Sequence, residues 1–157
     1  YDGKPFKSVT QGAADLDAIA LKDDAEPQSA GDAATAALVA AIKQALGEKV
    51  KDVRTSKRLT SSACCLVADG AMDRTLEKLL SRQKDSGVSV SAPILEINAG
   101  HPLIAAMAKT AAGKGAAAVE DAAQLLLDQA FVLEGEQVPD PAAFARRMAD
   151  VMAKVLA

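Results

Sequence analysis

Tryptophan is absent from this chain of 157 residues, aromatic residues make up only 3%, and there are one histidine and two cysteines. Each shortage excludes something. With so few rings, the core must come from Ala, Leu, Val and Ile, which favours close helix packing. A single histidine, His101, leaves no His pair for a metal site or a proton relay. Cys64 and Cys65 are adjacent and lack the C-x₂-C spacing of zinc or redox sites. Neighbours on a strand point to opposite faces and rarely bridge, so they read as small buried hydrophobes in a reducing compartment. No apolar run approaches the roughly 20 residues that span a bilayer, and no secretory leader is visible. Net charge is -3 with both signs interspersed, and no basic stripe marks a nucleic-acid surface.

What is present is a globular composition: half the residues are apolar and a quarter charged. This length suits one domain with a short appendage. The chain opens on Tyr1-Asp2-Gly3, which we read as the start of a piece of a longer protein. Residues 22–32 carry Lys22, Asp23, Asp24, Pro27, Ser29 and Gly31 and read as a linker. Residues 1–31 therefore form the appendage and 32–157 the domain. Asp32 is the expected N-cap of a helix over 33–46, with Leu38, Val39, Ile42 and Leu46 on one face and Gly47 closing it. Strands are expected at 49–55, 63–68 and 93–98, with a helix over 72–82, a loop over 83–92, and a helix from His101-Pro102 to about Thr110 that Gly113 and Gly115 break. Strands and helices alternate early and helices cluster late. This is an α/β (α+β) layer of about three strands with flanking helices and a helical end.

The last forty residues are the most informative. Val119, Ala122, Ala123, Leu126, Leu127, Ala130 and Phe131 follow the i, i+3, i+4, i+7 series of an amphipathic helix over 119–133. Asp140 as N-cap and Pro141 at the first helical position open a second helix, whose stripe is Phe144, Met148, Val151, Met152 and Val155. Two apolar stripes need a cover, and a second copy of the same pair supplies one as a four-helix bundle about a two-fold axis. The alternative is that the stripes pack within their own domain.

Several segments then match one family. Val53-Arg54-Thr55-Ser56-Lys57-Arg58-Leu59-Thr60 with Ala63-Cys64-Cys65-Leu66-Val67 resembles a strand pair of the heat shock protein 90 chaperones. Met72 to Leu80, Leu95-Glu96-Ile97-Asn98 with His101-Pro102-Leu103, and Leu125 to Ala130 with Asp140-Pro141, Phe144 and Arg146-Arg147-Met148 are similar to further family segments. Tyr1 to Thr10 resembles the junction of the middle and C-terminal domains. The matches are in order and cover nearly the whole chain, and the closing helices are most like the bacterial branch. The sequence departs from the family pattern at Ser61-Ser62, where relatives often have an acidic residue and Pro, and in the small, Gly-rich stretch 111–118. It lacks the acidic tail and MEEVD ending that recruit tetratricopeptide co-chaperones.

The resemblance implies the C-terminal homodimerisation domain of an ATP-dependent chaperone that binds unfolded or partly folded proteins. ATP and Mg would belong to domains outside this piece. No cofactor, metal or catalytic residue is expected in it. The partners implied are a second copy and client proteins, with no nucleic acid or membrane, in the cytoplasm. The interface candidates are Leu126, Leu127, Ala130, Phe131, Phe144, Met148 and Met152, and an acidic residue at Leu127 or Met148 should yield monomers. Met72, Leu76, Leu79 and Leu80 share one face of a short helix. The family places the matching helix in the cleft between protomers, where it contacts clients; the alternative is that this face packs on the sheet.

Two rival readings stay open. One is a small enzyme with Cys64 or Cys65 as nucleophile and His101 as base. The other is a purely structural dimeriser. Gly113-Lys114-Gly115 precedes a helix but lacks the G-x-x-x-x-G-K-[ST] spacing of a phosphate loop and reads as a linker. Glu120-Asp121 and Arg146-Arg147 read as solvated or helix-end charge.

Overall fold

The computed structural model describes residues 29–69 and 91–157. Among them a three-stranded sheet is formed by β1 (Asp52–Thr55), β2 (Cys64–Val67) and β3 (Ile94–Ile97), in the order β1-β3-β2. β3 runs parallel to β1 and antiparallel to β2, with Glu96 opposite Arg54 on one side and Cys65 on the other. Side chains alternate across a strand. Val53, Leu95, Ile97, Cys64 and Leu66 therefore face the main core, while Arg54, Glu96 and Cys65 share the opposite face. All four residues of β3 are buried, as suits a central strand written Ile-Leu-Glu-Ile.

Four α-helices complete the described part: α1 (Ser29–Leu46), α2 (Pro102–Lys114), α3 (Glu120–Leu133) and α4 (Pro141–Leu156). The mixed architecture expected from the sequence is the one found. α1 packs on α2, α3 and β1, and α3 packs on β2. Leu38 and Ile42 from α1, Leu95 and Ile97 from β3, Ile104 from α2 and Leu126 and Leu127 from α3 are sealed from solvent in a single core. The expected stripe of α1 is present, and Gly47, at φ +54°, takes the left-handed conformation that ends it.

Element ends differ in instructive ways. α1 starts at Ser29, so Asp32 lies within the helix instead of capping it. One glycine in an alanine-rich helix costs only about 1 kcal/mol, too little to stop it at Gly31. β1 begins at Asp52, later than expected, because residues 47–49 form a 3₁₀ turn. α2 continues through Gly113 to Lys114, and the break falls at Gly115, whose φ of +86° suits glycine. α3 begins at Glu120, after a 3₁₀ turn over Ala116–Val119.

Two later helix starts match the sequence reading. His101 Nδ1 accepts from the Leu103 N–H at 3.1 Å, with Pro102 at the first helical position. The Asp140 carboxylate accepts from the Ala143 N–H at 2.9 Å, with Pro141 next in the chain. Asp140→Ala should cost about 1 kcal/mol in a denaturant titration. Asn98 at the end of β3 is buried and donates to the carbonyls of Thr60 and Ser62 at 3.3 and 3.2 Å, which pins the loop entering β2.

Candidate functional site

The two terminal helices have different surroundings. Along α3, Val119, Ala123, Leu126, Leu127 and Ala130 all lie inside the core of the single chain, and Phe131 is half-buried against it. Along α4 only Ala143 is buried. Met148 is 39% exposed, Met152 57% and Val155 79%, with Val151 and Leu156 also open. Phe144 is half-buried. The residues proposed for an interface thus divide. Leu126, Leu127 and Ala130 are already covered by their own chain, because the α3 stripe rests on β2 and α1. Met148 and Met152 remain as surface on α4, and Val132 and Leu133 are separately exposed at the end of α3. Met148, Val151, Met152 and Val155, spaced i, i+3, i+4 and i+7, share one exposed face of α4. Met72, Leu76, Leu79 and Leu80 lie outside the described residues.

Behind the sheet sits a buried ionic cluster that the sequence reading passed over. Glu96 is buried at mid-strand. Its Oε1 accepts from Arg54 Nε and Nη2 at 3.0 and 2.7 Å, and its Oε2 from Arg58 Nε and Nη2 at 3.3 and 3.0 Å. Burial pushes the Glu96 carboxyl up, but hydrogen bonds from Arg54, Arg58 and Ser56 together outweigh it and hold the group below its ordinary value. The signal was a lone acid in an otherwise apolar strand.

Both cysteines are free thiols. Cys64 Sγ donates to the Leu126 carbonyl at 3.4 Å, and Cys65 Sγ to Glu96 Oε2 at 3.9 Å. Burial pushes Cys64 up to about 12, and burial with the nearby Glu96 charge pushes Cys65 up to about 11. A thiolate nucleophile needs the opposite shift. The Nδ1 lone pair of His101 is already committed to capping α2. The nucleophile–base reading therefore has no support in this geometry. A maleimide probe at neutral pH should label both thiols at least about tenfold more slowly than in the unfolded chain; rapid labelling of either would revive the enzyme reading.

No group of three or more His, Cys, Asp or Glu able to hold a metal occurs among the described residues. Gly113-Lys114-Gly115 forms the carboxyl end of α2, and the Gly115 N–H donates to the Ala111 carbonyl at 2.9 Å. That is not the helix amino terminus a phosphate needs. No helix among the described residues is long and apolar enough to cross a membrane.

The last polar feature lies between α3 and α4, where a cavity of about 370 Å³ is lined by Lys49, Leu127, Asp128, Phe131, Pro139, Asp140, Ala143 and Arg147. Asp128 is only 7% exposed, and its Oδ2 has no hydrogen-bond partner. Burial raises its pKa, and the nearby Asp140 charge adds to this, while Arg147 and Lys49 pull the other way.

The described residues thus form an α/β body whose helix α4 leaves an apolar stripe open to solvent. The chain belongs to the Hsp90 family: the profile for Hsp90 protein matches residues 1–157. Its relatives include the proteins named Chaperone protein HtpG of Rhizobium meliloti, 53% identical over 99% of this chain, and of Azorhizobium caulinodans, 51% identical over 99%. That of Paramagnetospirillum magneticum is 50% identical over 99%. The chain spans about a quarter of the length of each, 25%, 25% and 26%.

Proposed function

We propose that this chain is the C-terminal homodimerisation domain of an HtpG-type chaperone. The observation that carries the reading is the exposed apolar stripe of α4, Met148, Val151, Met152 and Val155. An isolated domain has no reason to leave four large aliphatic side chains in water along one helix face. A second copy meeting the same stripe about a two-fold axis would cover both at once. α3 serves mainly as the platform on which α4 stands.

The mechanism is mechanical. Two protomers joined here hold their remaining domains at a raised effective concentration, so that their meeting becomes intramolecular. ATP and Mg act elsewhere in the full-length protein, and closure there works on a client held between the arms. Met72, Leu76, Leu79 and Leu80 would contact that client, since Met and Leu surfaces repack readily around different sequences. The setting is the cytoplasm. Sedimentation equilibrium over a range of concentrations tests the reading. A reversible monomer–dimer equilibrium is expected, and a monomer at every concentration rejects it.

A further inference from the structure

The chain has four methionines, and the fold gives those among the described residues different surroundings. Met107 is buried in the core, whereas Met148 and Met152 stand one turn apart on the open face of α4. Met72 lies outside the described residues. A thioether has no proton to lose before it meets an oxidant, so access governs its reaction, whereas a thiol must first become a thiolate. Both cysteines are held back on that count, since burial pushes Cys64 up to about 12 and burial with the Glu96 charge pushes Cys65 up to about 11. Among the described residues, the sulfurs most open to oxidation are therefore those of α4, and they sit in the middle of its apolar stripe.

We propose that Met148 and Met152 form an oxidation site through which a peroxide opens the dimer. The inference rests on the homodimer reading given above. A sulfur lone pair attacks one peroxide oxygen, and the S–O bond forms as the O–O bond breaks. Sulfur gives up two electrons to the peroxide, and the hydroxide that leaves takes the proton from the new S–OH group. The products are a sulfoxide and water. The two side chains are covered while protomers are joined and open when they part. A sulfoxide formed in the open state would carry a polar oxygen back into an apolar contact, so oxidation traps the monomer. Reduction by methionine sulfoxide reductases restores the thioether and with it the seam.

The test treats the whole chain with hydrogen peroxide at neutral pH. Peptide mass spectrometry locates the oxidation, sedimentation equilibrium gives the dimer Kd before and after, and circular dichroism follows the fold. Met148 and Met152 are expected to oxidise about tenfold or more faster than Met107, which only transient opening of the core exposes. The oxidised chain should keep its helix content and dimerise about tenfold or more weakly, and treatment with the reductases should return its Kd. A chain carrying both Met148→Leu and Met152→Leu retains Met72, Met107 and the two cysteines, and peroxide should leave its own Kd where it stood. Oxidation of Met107 at the same rate, an unchanged Kd with both sites oxidised, no recovery on reduction, or an equal loss in the Leu chain would overturn the proposal and leave the dimer reading standing. An untreated chain that is monomeric at every concentration would overturn both.

Discussion

Met148→Asp is expected to give a folded monomer, and Leu127→Asp an unfolded chain. On periodicity alone both residues sit on apolar stripes of the terminal helices, and the same loss of dimer would be expected from either. Burial separates them. Leu127 is 1% exposed inside the single chain, against 39% for Met148. An aspartate at 127 loses the transfer energy of a buried leucine and places a charge in the packed core, together about 4 kcal/mol or more. Against a typical total of about 5–15 kcal/mol, that removes much of the stability of the domain. At 148 the isolated chain should hardly notice, because surface substitutions usually move stability by about 0.5 kcal/mol or less. Across the two-fold seam we propose, however, each aspartate would enter an apolar contact, and both would do so at once. Loss of a central apolar anchor of this kind costs about 2–4 kcal/mol of association, or roughly 30- to 1,000-fold in Kd. Circular dichroism and sedimentation equilibrium read the two effects separately. A Met148→Asp protein that associates as tightly as the wild type would remove α4 from the interface.

Glu96→Gln is the second large effect. The carboxylate holds two guanidiniums that come from β1 and from the loop after it, and the amide that replaces it keeps the shape but loses the charge. Removing one partner of a fully buried ion pair costs about 3–5 kcal/mol. Here the side chains of Arg54 and Arg58 are partly open and can rehydrate, so about 2 kcal/mol is expected, or roughly 6 °C in Tm for a chain of this size. The pH dependence carries the signature. The pKa of Glu96 is lower in the folded state than in the unfolded chain, so its contribution is complete above the unfolded value near 4.3 and fades as pH falls through the folded one. The gap in Tm between wild type and Glu96→Gln should be full at pH 7 and shrink below about pH 4. Asp128 has the opposite sign, since burial raises its pKa and ionisation therefore opposes folding. Asp128→Asn should be the more stable protein at pH 7, and its advantage should vanish in acid. A Glu96→Gln gap that did not change with pH would mean that the cluster acts through packing and not through charge.

Much of this was legible in the chain. Asp140-Pro141 and His101-Pro102 predicted two helix starts, because capping chemistry is local and needs only the next three residues. The apolar run at 63–68 and Ile94-Leu95-Glu96-Ile97 predicted two strands. Element ends were less legible where a neighbour overrode a breaker, as at Gly31 and Gly113, both inside helices. The Glu96 cluster went unread because its partners lie 42 and 38 residues away, and only strand pairing places Glu96 beside Arg54. Asp128 was hidden for a related reason: it follows Leu127 on a helix, and whether that side of the helix meets solvent or α4 depends on how the two helices dock.

The amino-acid order by itself determined the helices, the strands, the apolar stripes and the family resemblance, since periodicity, caps and short motifs act over a few neighbouring residues. Tertiary packing alone decided which stripe stays in water. An amphipathic pattern states that a face is apolar and is silent about what covers it. Here β2 and α1 close over α3, while α4, standing outside on α3, leaves its methionines and valines open.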